Sequence, residues 1–349
     1  MDPRREGIRR EGGLMAHLAA AFGSSHSVML AAELQDWLTG FRQSDQRMKY
    51  YDREGNPRTY ADVLARAPAR APALVTEEAI TGRFNAVQEA MRRLKAEIAS
   101  ARLDALVIVG DDQHELFQDR HMPSIGVYYG GTIRNAGRGS ARKFNWPEEW
   151  YNRAQMRRFE EEGDAHYPCH KALALRLIEG LVEREFDVAA VAGLDENQSE
   201  GHAYSFVHRW YLKGDGARMV PVVPVFLNTY NPPNPPLPKR CVKLGAALKV
   251  LIESYPEDIR VGLIASGGLS HFMVEEDLDR PIIEALHKKD LDFLARLEPR
   301  RLKAGSSEIR NWVVVAAAAA DLDLGWLSYT PAYRTPALTG IGLCFARWS

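Results

Sequence analysis

The stretch VGLIASGGLSH, residues 261–271, joins an apolar run to a glycine pair and a histidine. The run Val261–Ala265 is continuously apolar, which is typical of a strand covered on both faces. Gly267 and Gly268 permit backbone conformations and close approaches that a Cβ would obstruct. The stretch therefore predicts a buried strand whose end presents His271. Taken alone, it is equally compatible with a simple turn that happens to carry a histidine.

Other apolar runs of the same kind alternate with helical patterns along the chain. In the helix predicted over Glu77–Ser100, apolar residues recur at spacings of three and four and form one stripe. This alternation predicts an α/β fold with a central mixed β-sheet flanked by helices and an active site at the strand ends. The predicted strands are Leu18–Phe22, Ala105–Val109, Ile125–Tyr129, Val188–Ala192, Val220–Leu227 and Val261–Ala265. The other predicted helices are His170–Arg184, Arg240–Glu253, Asp279–Leu297 and the apolar run that begins at Trp312.

The composition excludes several classes of partner. The 349 residues include 45 Lys and Arg against 46 Asp and Glu, so no net field favours nucleic acid or an anionic membrane. No apolar stretch reaches the roughly 18 residues that a membrane span requires. Cys169, Cys241 and Cys344 lie far apart and form no CxxC pair, which argues against a disulfide framework or a thiolate zinc site. We therefore expect a cytoplasmic protein without nucleic-acid or membrane partners.

The domain organisation is expected to be simple. Residues 1–15 are charged and lack an apolar segment, so they are predicted to be a disordered extension rather than a signal peptide. Residues 16–349 are predicted to form a single domain. Within it, residues 31–100 begin with a polar, Pro- and Arg-rich stretch and end in a helix, so they are interpreted as an inserted, partly helical segment.

Histidines follow four of the predicted strands. His26, His114, His202 and His271 account for four of the ten histidines in the chain. Any one of them is more often a packing or capping residue than a functional group. Ligands of open α/β sheets gather outside the carboxyl ends of the strands, so the four together favour a site.

A carboxylate completes the set. Glu308, in AGSSEIRNW, begins the apolar helix that contains Trp312. The helix dipole alone accounts for an acid in this position. A buried helix start would nevertheless leave the acid in need of a partner, which a metal would supply. Two imidazoles and one carboxylate are the ligand set with which non-haem iron enzymes leave positions open for substrate and dioxygen. The remaining histidines are then free for proton transfer.

These motifs resemble those of the class III extradiol ring-cleavage dioxygenases, the family of the protocatechuate 4,5-dioxygenase catalytic subunit. The resemblance is strongest from VVPVFLNTYNPPNPPLPKR, through SGGLSH, to GSSEIRNW. It is weaker at the N-terminal GSSH and at the segment that ends in His202. It implies an Fe(II)-dependent enzyme that opens the ring of a catechol-like aromatic compound with O2 and is a homo-oligomer.

The resemblance also assigns roles to residues. His26 and Glu308 resemble iron ligands, His271 the catalytic histidine on the dioxygen side, and His202 a second catalytic histidine that contacts the substrate. Tyr230 and Asn228 are candidate substrate-binding residues, although loop packing is the alternative for both.

The second histidine ligand of the iron departs from the family pattern. Where the family has Asn-Asp-His, this chain has GDDQHELF, residues 110–117. An ungapped alignment places Gln113 at the ligand position, and a shift of one residue places His114 there. We prefer His114, because imidazole is a better ligand for Fe(II) than a neutral amide. Glu115 is a third candidate.

Two further alternatives remain open at this level. The segment 31–100 either covers the active site, as a separate helical subunit does in some members of the family, or packs as a peripheral helix on the sheet. The chain is either a ring-cleaving dioxygenase, a metal enzyme of the same fold with a non-catechol substrate, or a non-catalytic or redox interaction protein.

Overall fold

A computed structural model of the chain describes residues 15–214 and 219–349. All but one residue of the predicted extension 1–15 lie outside the described residues. The strands of the described residues are β1 His17–Ser24, β2 Tyr50–Tyr51, β3 Pro57–Arg58, β4 Ala105–Asp111, β5 Ile125–Tyr128, β6 Thr132–Asn135, β7 Ala165–Pro168, β8 Ala189–Val191, β9 Val222–Leu227, β10 Arg260–Ser266, β11 His271–Met273, β12 Leu324–Tyr333 and β13 Thr339–Trp348.

The α-helices lie between these strands. In the described part of the chain they are α1 Val28–Ala31, α2 Phe41–Asp45, α3 Tyr60–Ala65, α4 Glu77–Ser100, α5 Glu149–Met156, α6 Lys171–Val182, α7 His202–Val207, α8 Pro238–Glu253, α9 Glu276–Lys288, α10 Leu291–Ala295 and α11 Ile309–Ala318. Within the same residues, no helix combines the length and the apolar character needed to cross a bilayer.

The large sheet is mixed, which confirms the predicted fold class. Its strand order is β11-β13-β1-β10-β4-β9-β5-β8, and β12 also pairs with β13. The pairs β1–β10, β10–β4, β4–β9 and β5–β8 are parallel. The pairs of β13 with β1, β11 and β12, and of β5 with β9, are antiparallel. Two small antiparallel sheets, β2–β3 and β6–β7, lie outside it.

The core has two parts, one on each face of the sheet. In β4, Val107 and Val109 belong to the part packed against α6, α8, α9 and α11. Leu106 and Ile108 belong to the part packed against α4 and α7. Because side chains alternate between the faces of a strand, a strand covered on both faces must be apolar throughout. This is the reason for the continuous apolar runs in the sequence.

The predicted elements agree closely with the structure, except that one helix is divided. Several short elements, among them β6, β7, α5 and α7, were not predicted. The helix predicted over Asp279–Leu297 is divided into α9 and α10. Lys289 adopts a left-handed conformation, φ 56°, and the Asp290 side chain caps α10 by accepting a hydrogen bond from Phe293 N. The β12–β13 hairpin was not predicted at all. Most of β12 is only half-buried, so it lacks the continuous apolar signature of the central strands.

The close contact between α8 and α11 generates a prediction about stability. A Cβ on Gly245 of α8 would lie 2.0 Å from the carbonyl oxygen of Val314 in α11. We expect Gly245→Ala to lower the free energy of unfolding by roughly 1–3 kcal/mol, because the two helices must separate. Gly82, in α4, is exposed and has no atom within 4 Å of the corresponding position. Gly82→Ala is the matched control and should raise stability by about 0.5–1 kcal/mol through helix propensity. Urea denaturation measures both, and an unchanged midpoint for Gly245→Ala would contradict the packing argument.

Candidate metal centre

Three adjacent parallel strands bring the candidate residues to one edge of the sheet. In β1 and β10, Ser24 lies opposite Ser266, and in β10 and β4, Ala265 lies opposite Val109. The carboxyl ends of the three strands are therefore level. The residues at or just beyond these ends include His26, Asp111 and the loop that leads to His271.

His26 presents an unprotonated nitrogen to this edge. Its Nδ1 lies 3.0 Å from Ser266 Oγ, and the Ser266 hydroxyl donates its only hydrogen to the Ala203 carbonyl at 2.7 Å. The His26 Nδ1 must therefore be the donor to Ser266, and Nε2 carries the lone pair. Burial, assisted by the neighbouring His202, lowers the pKa of His26 to about 3, so the ring is neutral.

Glu308 faces His26 from the other side of the edge. It is the last residue of the 3₁₀ turn Ala304–Glu308, directly before α11, and is only 3% exposed. Its Oε2 accepts a hydrogen bond of 2.8 Å from Gly268 N. Burial raises the pKa of the carboxyl above its usual value, against the opposing effect of His271. The predicted burial of this helix start is therefore present in the structure.

Two side chains of helix α11 form hydrogen bonds with the end of β10. Asn311 Nδ2 donates to the carbonyl oxygen of Ser266 at 2.8 Å, and Trp312 Nε1 donates to that of Gly267 at 2.7 Å. All four residues are buried. Two side chains of the helix thus replace the hydrogen bonds that the strand end would otherwise lack, and they set the position of Glu308 relative to the sheet.

The glycine pair leaves room for Glu308 and His271. A Cβ on Gly267 would lie 2.9 Å from Glu308 Cβ, and one on Gly268 would lie 2.2 Å from His271 Cε1. His271 Nδ1 donates to the Leu269 carbonyl at 2.9 Å, which leaves Nε2 unprotonated at 3.7 Å from Glu308 Oε2. Burial lowers the pKa of His271, so this ring is also neutral.

His202 differs from the other two imidazoles because it has a carboxylate partner. Its Nδ1 lies 2.6 Å from Glu115 Oε2, and Arg158 binds the other oxygen of Glu115 at 2.6 Å. Burial lowers the pKa of His202, but the carboxylates of Glu115 and Asp111 outweigh burial and raise it to about 9. Burial opposes ionisation of Glu115, yet His202 and Arg158 hold the pKa of Glu115 well below its usual range.

Four side chains converge in a way that suits a metal ion. One ligand atom from each of His26, Asp111, His202 and Glu308 lies within 4.8 Å of all the others. His26 Nε2 is 3.5 Å from Glu308 Oε2 and 3.6 Å from Asp111 Oδ1, too far for a good hydrogen bond. His26 Nε2 and Asp111 Oδ1 are both buried without a hydrogen-bond partner. Imidazole nitrogens and carboxylate oxygens that face each other in this way fit a divalent metal.

The structure does not bring His114 into this cluster. Its backbone is left-handed, φ 59°, and its Nε2 lies 2.7 Å from Asp119 Oδ1 on the surface. Gln113 is adjacent to the cluster, with its amide nitrogen 3.4 Å from both Asp111 Oδ2 and His202 Nε2. The structure thus places His114 outside the cluster, because the chain turns away from the sheet edge at that residue.

Sequence reasoning missed Asp111 as a member of the cluster. Asp111 stands beside Asp112 in GDDQHE, and an aspartate at the end of a strand often only binds nearby backbone N–H groups. Only Asp112 has such a role, since it accepts hydrogen bonds from the backbone N–H groups of Leu116 and Phe117. Asp111 ends a strand that is buried throughout. A charge at the end of a fully apolar run was the available signal.

A cavity of about 440 Å³ opens over the cluster. The start of the segment 31–100 lines it, whereas α4, at the end of that segment, packs against the sheet. The first part of the segment therefore covers the site, and its helix packs on the sheet, so each of the two alternatives applies to one part.

Tyr230 lines the cavity, but Asn228 does not, because its amide is bonded to Asn231 and Asn234 within the Pro-rich loop. Aromatic lining residues include Phe41, Phe144, Trp146, Tyr151, Phe206 and Phe272.

Comparisons with known proteins identify similar aromatic ring-opening dioxygenases. The family model described as the catalytic LigB subunit of aromatic ring-opening dioxygenase matches residues 82–335. The chain is 34% identical over 102 residues to a gallate dioxygenase of Pseudomonas putida, an alignment that covers 29% of this chain and 28% of that protein. It is 33% identical over 99 residues to a 2,3-dihydroxyphenylpropionate/2,3-dihydroxicinnamic acid 1,2-dioxygenase of Comamonas testosteroni, covering 28% of this chain and 29% of the relative. The chain thus matches less than a third of the length of either relative.

A buried acid outside the cluster holds the loop that carries His271. Asp279 accepts hydrogen bonds from Ser270 N at 2.9 Å, from Ser270 Oγ at 2.6 Å and from Tyr329 Oη at 2.7 Å. These bonds favour the charged form, but burial outweighs them and raises the pKa of Asp279 to about 7. The carboxyl is therefore protonated in the folded protein under mildly acidic conditions.

This shift predicts a pH dependence of stability. Between pH 3.8, the ordinary pKa, and about pH 7, the unfolded chain loses the Asp279 proton while the folded chain keeps it. The stability contributed by this carboxyl is therefore fully present below pH 3.8 and is lost as the pH rises to 7. We expect the difference in unfolding free energy between the wild type and Asp279→Asn to fall across this window and to be constant above it. Urea denaturation at a series of pH values measures the difference, and a difference that does not change with pH would contradict the assignment.

Proposed function

Because the chain belongs to the family of the catalytic LigB subunit of aromatic ring-opening dioxygenases, we propose that it is a non-haem Fe(II)-dependent extradiol dioxygenase that cleaves the ring of a catechol-like compound with O2. The observation that carries this proposal is the buried cluster of imidazoles and carboxylates beneath an aromatic-lined cavity. One of the similar proteins is named for a 2,3-dihydroxy aromatic acid, which supports a substrate with adjacent hydroxyl groups.

The ligands proposed for the iron include His26 and Glu308. Their facing atoms are 3.5 Å apart, and both side chains are almost completely buried. A ferrous ion at this position would supply a Lewis acid and a template that brings the diol and dioxygen together. Tyr230 lines the same cavity and is the proposed substrate contact retained from the two candidates.

His271 is proposed as the general base. Its Nε2 is unprotonated, because Nδ1 donates to the Leu269 carbonyl, and its side chain lines the cavity. In this position Nε2 can accept a proton from a hydroxyl group of the bound diol. Gly268 has no Cβ, so the His271 ring can lie close to the strand end. The hydrogen bond from its Nδ1 to the Leu269 carbonyl then fixes the orientation of the ring.

His202 is proposed to contact the substrate in its charged form. The Glu115 carboxylate fixes Nδ1 as a donor, and the raised pKa keeps a proton on Nε2 near neutral pH. Nε2 can then donate a hydrogen bond to an oxygen of the substrate and offset negative charge that develops there. One histidine whose pKa is lowered and one whose pKa is raised thus provide a base and an acid in one cavity.

The activity is tested by oxygen consumption. The protein is purified anaerobically, loaded with Fe(II) and mixed with a panel of catechols, while an electrode records O2 and a spectrometer records the yellow ring-fission product. We expect equal amounts of O2 consumed and product formed with at least one diol. No uptake on any diol would overturn the proposal, and so would uptake without ring-fission product.

The base assignment makes a separate prediction. We expect His271→Gln to lower kcat by about 10²–10⁴-fold, the usual contribution of general acid–base catalysis, and to leave iron content unchanged. His287, exposed at the end of α9, is the matched control, and His287→Gln should have the activity of the wild type. Steady-state kinetics and iron analysis on the same samples measure both quantities. A His271→Gln protein with full kcat would exclude this residue as the base.

A further inference from the structure

We propose that Asp111 is the third protein ligand of the metal, so that the ion is bound by one imidazole and two carboxylates. This inference deepens the proposed function, because it concerns the same metal centre. The sequence GDDQHELF leaves the second ligand of the family pattern open, and the proposal gives this role to a residue that precedes both Gln113 and His114.

Asp111 is buried in a way that calls for a cation. It is the last residue of β4 and has no solvent exposure. Its Oδ2 has a long contact of 3.4 Å with the Gln113 amide and lies 3.6 Å from His202 Nε2, whereas its Oδ1 has no hydrogen-bond partner. His202 lies on the Oδ2 side alone, and a buried carboxylate oxygen without a partner, such as Oδ1, is unfavourable. A metal beside Oδ1 removes that penalty.

The distances agree with a shared ion. Two atoms that each lie about 2.1 Å from one ion cannot be more than about 4.2 Å apart. His26 Nε2 is 3.6 Å from Asp111 Oδ1 and 3.5 Å from Glu308 Oε2, within that limit. His26 Nε2 also lacks a hydrogen-bond partner. Two unpartnered buried atoms therefore point into the same space, which the Glu308 carboxylate also borders.

The competing residues have other partners. His114 is 40% exposed at its side chain and is bonded to Asp119. Gln113 directs its amide nitrogen toward Asp111, which is the contact of a residue that orients a ligand. His202 has Glu115 on one nitrogen, and Gln113 and Asp111 Oδ2 near the other, and it lines the cavity where the substrate would bind. Asp111 is the carboxylate beneath the cavity that is left for the metal.

The test measures binding of Mn(II), which suits carboxylate ligands, to metal-free protein. Loss of the free Mn(II) signal in electron paramagnetic resonance gives the affinity without turnover. We expect Asp111→Asn to weaken binding by at least about tenfold, as loss of even an outer-shell partner commonly does. His114→Gln tests the competing ligand and should bind Mn(II) with the affinity of the wild type. Asp258→Asn changes an exposed acid and is the matched control.

A second measurement separates a ligand from a merely structural residue. The comparison is made without metal in a His202→Gln background, so that no charged ring faces Asp111 Oδ2. There Asp111→Asn should unfold at the same temperature as its parent or a higher one, because it removes one of two buried like charges. Normal Mn(II) binding by Asp111→Asn would overturn the inference, and so would weakened binding by His114→Gln. A metal-free Asp111→Asn protein that, in this background, is less stable than its parent or does not fold would overturn it as well, since the charge would then have a structural partner.

The two proposals fail separately. Mn(II) binding that depends on Asp111, without ring cleavage of any catechol, would overturn the proposed function and leave the ligand assignment standing. Ring cleavage by the wild type, together with an Mn(II) affinity that Asp111→Asn does not change, would overturn the ligand assignment and leave the proposed function standing.

Discussion

The site depends on the burial of two carboxylates beside each other. Asp111 and Glu308 present oxygens within 4.8 Å, and both side chains are inaccessible to solvent or nearly so. At the effective dielectric of a protein, such a pair repels by about 3 kcal/mol or more if both are charged. Burial and this repulsion raise the pKa of Asp111, and burial raises that of Glu308. The charged ring of His202 offsets these effects only in part, since both pKa values remain raised, and a divalent cation would relieve them further.

The end of β10 organises the residues around that charge. The Ser266 hydroxyl fixes the tautomer of His26, and its carbonyl holds Asn311. The Gly267 carbonyl holds Trp312, and Gly268 N binds Glu308 itself. Residues 266–268 thus position two proposed ligands: the Ser266 side chain positions His26, and the backbone N–H of Gly268 positions Glu308. Because their bonds go to buried groups, the geometry is set before any ligand binds.

The segment after β4 explains how the centre departs from the expected family pattern. Asp111 remains at the strand end, Gln113 contacts it, and the backbone turns at His114. Glu115 returns to the cavity and, with Arg158, holds His202. The segment therefore has a carboxylate where an imidazole was expected and adds a second carboxylate behind a different histidine.

The sequence alone determined the layered α/β fold and the region of the site. The central strands and α4 could be predicted because burial on both faces of a sheet, or on one face of a helix, produces a periodicity that local sequence records. Parallel strands end at one edge, so His26 and His271 could be expected to meet. His202 follows β8, which runs opposite to β4 and β10, so its arrival at the same edge could not be predicted from strand order. The choice among residues 111–115 could not be predicted, since a left-handed turn at His114 decides which side chains face the edge. Only the tertiary structure decided this, because the direction of a side chain at a strand end depends on the bonds it makes to distant segments and not on its spacing in the chain.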